Sequence, residues 1–285
     1  ARGLLAAANE ADLGEDGLAR AHVMLFQAGK GPAAYPTIIA EDGIGWGALS
    51  GLAADPEKPG RLWAVSDSFY GAEPAIYEID ATQTPARIVK KTVVTRGGQP
   101  AQKLDLEGIT PDGKGGFWLA SEGRSDRLVP HALYRVNAKG EIKKEVALPA
   151  KLLAGETRYG FEGIARDGDR LWMAVQREWG DDAKGQVKLL SYDPESGDWG
   201  AVAYPLEPKG AGWMGLSEIA IHDGFAYVIE RDNLIGEAAK VKKIFRVPLA
   251  DLKPATLGGA LPVVRKEEVR DLIPDLARWK GYVVD

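Results

Sequence analysis

"DLEGITPDGKGGFWLASEG", running from Asp105 to Gly123, is the stretch on which the fold turns. Two short apolar runs flank a turn of Asp, Gly and Lys, the composition that reverses a chain between antiparallel strands. A carboxylate stands at each outer end, Glu107 before and Glu122 after. In an antiparallel hairpin the start of one strand lies beside the end of the next. The two glutamates therefore share one end of a sheet, with Asp105 close by.

The pattern recurs. "LSGLAADPEKPGRLWAVSDS" from Leu49, "LEGITPDGKGGFWLASEG" from Leu106, "FEGIARDGDRLWMAVQRE" from Phe161 and "LSEIAIHDGFAYVIERDN" from Leu216 align with one another. Each pairs two strands and carries an aromatic at one place: Trp63, Trp118, Trp172 and Tyr227. A third strand follows each, in Ala75–Asp80, Ala132–Asn137, Lys188–Asp193 and Lys243–Pro248, and a weaker fourth comes next, as in "ARIVKKTVV", "IKKEVALP" and "GAVAYPL". Four antiparallel strands repeating at roughly 55 residues are the signature of a β-propeller. A sheet with two apolar faces cannot hide both alone, so it stacks on its neighbours around an axis. The repeated aromatics belong to that packing rather than to a ligand platform.

The expected domain is a single all-β propeller over 1–285. Residues 1–44 read as a partial blade, since "GLLAAANEAD" aligns with second strands and "AHVMLFQ" with third strands. Four blades span 45–101, 102–156, 157–210 and 211–264. Over 265–285, apolar spacing in "KEEVRDLIPDLARW" predicts one short helix, broken at Pro274, and "GYVVD" begins a closing strand,. Either that strand completes the first blade of a five-bladed ring, or the chain is part of a six- or seven-bladed one; the fragment is favoured.

Blade packing gathers equivalent positions around the axis. The first column reads Ser50, Glu107, Glu162 and Ser217, with Glu218 one place later. The second reads Asn9, Asp67, Glu122, Gln176 and Arg231, with Glu230 beside it. Converging carboxylates repel unless a cation or raised pKa values relieve them. Hard oxygen donors, with few His and no Cys, suit Ca²⁺ or Mg²⁺ better than zinc. Glu107, Glu162 and Glu218 are the expected metal ligands. Glu107, Glu162, Asp67 and Glu122 are the expected catalytic groups. Arg124, Arg158, Arg177 and Arg231 adjoin them, either to bind an anionic substrate group or to pair with the carboxylates.

Other chemistry is excluded or absent. The net charge of −5 and pI near 5.5 argue against a nucleic-acid surface,. Zero cysteines rule out disulfides and thiol catalysis,. No apolar run is long enough to span a bilayer. His22, His131 and His222 are scattered and read as structural or solvated. "GALSG" lacks the spacing of a serine-hydrolase elbow, and "DGKGG" is a hairpin turn,.

With the blades laid out, "LSGLAAD…LWAVSDS", "LEGI…FWLASEG", "GFEGIA…LWMAVQ" and "LSEIA…YVIERDN" are similar to the recurring elements of the bacterial phytase-like family, described as having esterase-like activity. The resemblance runs in order from Leu49 to Asp285. It implies a secreted or periplasmic propeller that uses calcium and hydrolyses a phosphoester or ester. The family continues with a further E-G-[LI]-A strand pair after the "VVD"-like stretch at which this sequence stops. Three readings follow: a metal-dependent hydrolase of phosphoesters or related esters, a non-catalytic scaffold with a structural cation, and a lactonase-like propeller. A monomer acting on a small anionic or ester substrate is expected.

Overall fold

The computed structural model describes residues 38–47, 49–67, 73–153, 155–156 and 158–277, together with the backbone of strands Leu4–Asp12 and Ala19–Gln27. Four antiparallel sheets form propeller blades. In blade one the strands are Leu49–Ala54, Arg61–Ser66, Ala75–Asp80 and Ala86–Val93; in blade two, Leu106–Pro111, Phe117–Ser121, Ala132–Val136 and Ile142–Ala147. Blade three comprises Phe161–Asp167, Arg170–Val175, Gln186–Tyr192 and Trp199–Pro205. Blade four comprises Met214–His222, Phe225–Asp232, Lys242–Pro248 and Glu267–Asp271. Within each blade the four strands lie side by side in chain order, an up-and-down arrangement,. Leu4–Asp12 and Ala19–Gln27 pair antiparallel as a further hairpin.

The repeated aromatics fill the layers between blades. Trp63 meets Phe117 edge to face at 5.1 Å between blades one and two. Trp118 lies with Phe161 and Met173 between blades two and three, and Trp172 with Leu216 and Val228 between three and four. Trp172 is 1% exposed. Tyr227 takes the same place on the outer side of blade four, with Ile244, Leu272 and Leu276.

Two blades gain an extra edge strand. Ile38–Ala40 pairs parallel with the outer strand of blade one. Ala255–Thr256, from the loop preceding the last strand of blade four, pairs with Trp199–Pro205 of blade three. Around Ala203 the same loop adds Ala203 N–H to Pro262 O and Val264 N–H to Ala203 O, at 2.9 Å each. Blades three and four are thereby laced together.

The C-terminal expectation needs correction. Glu267–Asp271 is a strand, and only Ile273–Ala277 is helical. Blade four requires a fourth strand, and pairing with Lys242–Pro248 overrides the helical spacing of its apolar residues. Pro274 lies in the first turn of the helix, where a missing N–H costs little,. Buried Arg270 anchors that turn through Asp275, at 2.6 and 2.9 Å. The expected closing strand in 281–285 lies outside the described residues.

Candidate functional site

The site begins with a defect repeated in each inner strand. Strand register slips between Leu49 and Leu52, Leu106 and Gly108, Phe161 and Gly163, and Leu216 and Glu218. These are β-bulges, which re-aim the inserted residue. The inserted residues include Ser50, Glu107, Glu162 and Ser217. Next to them runs a ladder of glycines. A Cβ on Gly51 would come 2.5 Å from Gly108 Cα, and one on Gly108 would come 2.8 Å from Ile164 N. One on Gly163 would strike the Glu218 carboxylate and approach Ile219 N at 2.7 Å. Only glycine allows the inner strands to lie this close. In blade four the residue at this step is Glu218, which fills the space that the missing side chains leave.

That closeness gathers the carboxylates. One oxygen each from Asp67, Asp105 and Glu107 lies within 4.8 Å of the other two. Ser50 donates its hydroxyl to Glu107 across the blade interface. Buried Asp105 receives the Glu122 N–H on its carbonyl at 2.8 Å, and its own N–H donates to Ser121 Oγ at 3.0 Å. Glu162, 8% exposed, accepts from the Gln176 amide. Glu122 accepts the Gly160 N–H at 3.2 Å. Glu218 reaches across to blade one, where Leu52 N–H donates at 3.0 Å, while Ile219 N–H donates to its other oxygen at 2.9 Å.

Charge is crowded here. Burial, then Glu162 and Asp67, push Glu107 well above the ordinary carboxylate range. Burial, then Glu162 and Asp105, raise Glu122 to about 8. Glu218 rises to about 8, again through burial first. In Glu162 burial dominates and Arg231 and the Gln176 amide oppose it, leaving it at about 7.

The arginines stand on one side of this well. Arg177 is sandwiched between Tyr159 and Trp213, its guanidinium 3.6 and 3.5 Å from the ring centres. Arg231 lies 4.9 Å from Trp213 and donates to Ser217 Oγ at 2.7 Å. Arg158 lies 5.5 Å from Tyr159. The backbone of Arg124 is paired with Val129 in a short turn. None of Arg158, Arg177 and Arg231 makes a direct ion pair among the described residues, but the charge of Arg231 draws the Glu162 pKa down and that of Arg158 draws the Glu122 pKa down. His131 is structural: it accepts the Gly123 N–H on Nδ1 at 3.0 Å and points Nε2 at Glu156, and burial depresses its pKa. Glu230 is also outside the mouth, fully buried against Tyr204 and Lys266.

The compact trio therefore contains Asp67 and Glu107, with Asp105 in place of Glu162 and Glu218. Asp105 stands outside both columns, one residue before the inner strand. Its own repeat position holds the signal, because the equivalents are Ala48, Gly160 and Gly215. Tyr159 and Trp213 carried no comparable mark.

No curated protein is matched. Among solved structures the chain is similar to the GH43_1 enzyme from Xanthomonas citri complexed with xylotriose, with a TM-score of 0.52 and 14% identity over 90% of this chain and 87% of that one. It is also similar to the Niastella koreensis GH74 enzyme, with a TM-score of 0.45 and 12% identity over 85% of this chain and 36% of that one. At 14% identity the first of these likenesses is one of fold. A family match covers residues 44–285: the chain belongs to the phytase-like family described as "Esterase-like activity of phytase".

Proposed function

We propose that the protein is a metal-dependent hydrolase of phosphoester or related ester substrates, working at the acidic mouth of the propeller. The observation that carries this reading is the approach of Asp67, Asp105 and Glu107 oxygens to within 4.8 Å of one another. Oxygens sharing a Ca²⁺ at about 2.4 Å stand at most about 5 Å apart, so the spacing and the all-oxygen donors fit a hard cation. The upward pKa shifts of the neighbouring glutamates support it too, since burial first and acidic neighbours second hold these groups in surroundings that a cation would relieve,.

Asp67, Asp105 and Glu107 would hold Ca²⁺, or Mg²⁺, with Glu162 and Glu218 beside them. A cation bound there would polarise an ester oxygen and make coordinated water more acidic. The chain's own groups supply the rest. Glu162, held near neutrality, can take a proton from water or return one to a leaving oxygen at ordinary pH,. Glu122, fixed by Gly160 N–H, is a second such group. Arg158, Arg177 and Arg231, stacked with Tyr159 and Trp213 near Glu122 and Glu162, would hold the substrate's anionic part. The family's esterase description accords with this reading, and a secreted or periplasmic setting is proposed along with it.

The test is hydrolysis of a chromogenic phosphomonoester and a chromogenic carboxyl ester by the full chain, before and after chelation and with Ca²⁺ restored. Turnover of either that disappears with chelator and returns with Ca²⁺ is expected. Absence of turnover on both with Ca²⁺ present would overturn the reading, and turnover of a sugar lactone alone would replace it with a lactonase.

A further inference from the structure

Blade one differs from blades two and three at the place where they carry a glutamate. The bulges of blades two and three bring in Glu107 and Glu162, whereas those of blades one and four bring in Ser50 and Ser217. The two serines are used differently. Ser217 Oγ accepts the Arg231 Nε–H at 2.7 Å, inside its own blade. Ser50 instead reaches into the next blade, where its hydroxyl donates to Glu107 Oε2 and lies 3.5 Å from the Glu107 carbonyl oxygen. One side chain thus meets Glu107 at both its backbone and its carboxylate. The perch of Ser50 is itself fixed from two directions. Gly51, which follows it, brings the inner strands so close that a Cβ there would stand 2.6 Å from the Glu107 carbonyl oxygen. One residue further on, the Leu52 N–H is taken by Glu218 of blade four at 3.0 Å. The bulge of blade one is therefore held between blades two and four, and its backbone cannot shift without losing one contact or the other.

We infer that Ser50 is a positioning residue for the cation: it holds the Glu107 carboxylate in the orientation that brings one of its oxygens to those of Asp67 and Asp105. The inference rests on the cation reading of the mouth and adds a residue to it. Glu107 enters the trio on a side chain with several rotatable bonds. Left unheld, that chain would have to be ordered as the ion arrives, and the lost freedom would oppose binding. A hydrogen bond made beforehand removes much of this cost. A hydroxyl suits the task, because it takes one of about four acceptor positions on a carboxylate and leaves the others for the ion. A lysine or arginine in its place would cancel the charge that the ion needs. Asp105 depends less on such a neighbour. Its side chain is shorter, and its backbone is already pinned by Ser121 Oγ at 3.0 Å and by the Glu122 N–H at 2.8 Å. Ser50 therefore acts on the longest and least restrained arm of the trio.

The probe is Ca²⁺, titrated calorimetrically into the full chain after chelator has been used and removed, with thermal unfolding in chelator as the measure of the fold. Saturable binding by the wild type is expected. Ser50→Ala should weaken it at least about tenfold, the usual result of removing a group that orients a metal ligand. Its melting temperature in chelator should stay within about 3 °C of wild type, as the loss of one half-buried hydrogen bond predicts for a chain of this size,. Ser50→Thr keeps the hydroxyl and should stay within about threefold of wild-type affinity. Ser217→Ala removes the matching hydroxyl of blade four, whose partner is Arg231, and should likewise stay within about threefold,. Unchanged affinity in Ser50→Ala would overturn the inference, as would an equal loss in Ser217→Ala. A loss in Ser50→Ala that Ser50→Thr fails to restore, with both melting normally in chelator, would overturn it too. Absence of Ca²⁺ binding by the wild type would sink the cation reading and the inference together; wild-type binding that Ser50→Ala leaves intact would sink the inference alone.

Discussion

Glu107 and Glu218 come from adjacent repeat positions, yet their surroundings separate them. Glu107 sits in a bulge with one oxygen near Asp67 and Asp105, and only the Ser50 hydroxyl offers it a donor among its named partners. Glu218 already spends both oxygens on backbone N–H groups. Glu107→Gln keeps size and removes charge. Under the hydrolase reading it should cut turnover at least about 100-fold and abolish the rise in melting temperature on adding Ca²⁺, as read by kinetics and thermal unfolding. Glu218→Gln should instead act on stability: an amide can accept only one of the two N–H groups, a loss of about 1–3 kcal/mol in denaturant unfolding.

At the scale of the strand, the bulge and the glycine beside it act together. The bulge turns a carboxylate toward the axis, and the glycine lets the neighbouring inner strand come close enough for that carboxylate to meet the next. Gly108→Ala forces its new methyl against the backbone at Gly163 and Ile164. Overpacking of this kind costs about 1–3 kcal/mol, and the Ca²⁺ response should weaken too because Glu107 is the preceding residue. Urea unfolding with and without Ca²⁺ reads both effects. Trp172→Ala tests the other face of the blade. It empties a layer between blades three and four and should cost about 3–5 kcal/mol, with Ca²⁺ affinity little changed in whatever fraction remains folded,.

Across the whole molecule the crowded acids make stability depend on pH. The folded chain holds protons on Glu107, Glu122, Glu162 and Glu218 that the unfolded chain, with ordinary glutamate values near 4.5, releases. Raised carboxylate pKa values therefore favour folding at low pH, and this contribution declines as pH climbs from about 4.5 to about 8. His131 acts with the opposite sign, because its depressed pKa makes the folded state lose stability as pH falls below 6.5,. Between pH 6.5 and 8 the glutamates are left to dominate. Without divalent cations the melting temperature should fall by several degrees over that interval, and excess Ca²⁺ should restore most of it by replacing protons with a stronger counter-charge. A melting temperature that is flat with pH, or higher at pH 8 than at 6.5 in chelator, would contradict the crowding.

The repeat itself determined the architecture. The period, hairpin turns and recurrent Trp63, Trp118, Trp172 and Tyr227 are local patterns, and local patterns dictate strands, turns and the faces that must be buried. The same columns brought Asp67, Glu107, Glu122 and Glu162 to one mouth. Tertiary structure decided the rest, since it depends on distances between blades that no single repeat encodes. It chose Asp105 for the compact trio, engaged Glu218 on Leu52, and turned Glu267–Asp271 into a strand despite its apolar spacing. It also slid Arg177 between two rings drawn from the starts of adjacent blades. The physical reason is common to all four: each outcome depends on which neighbour supplies the missing hydrogen bond, counter-charge or apolar face, and that neighbour is chosen by packing across the ring.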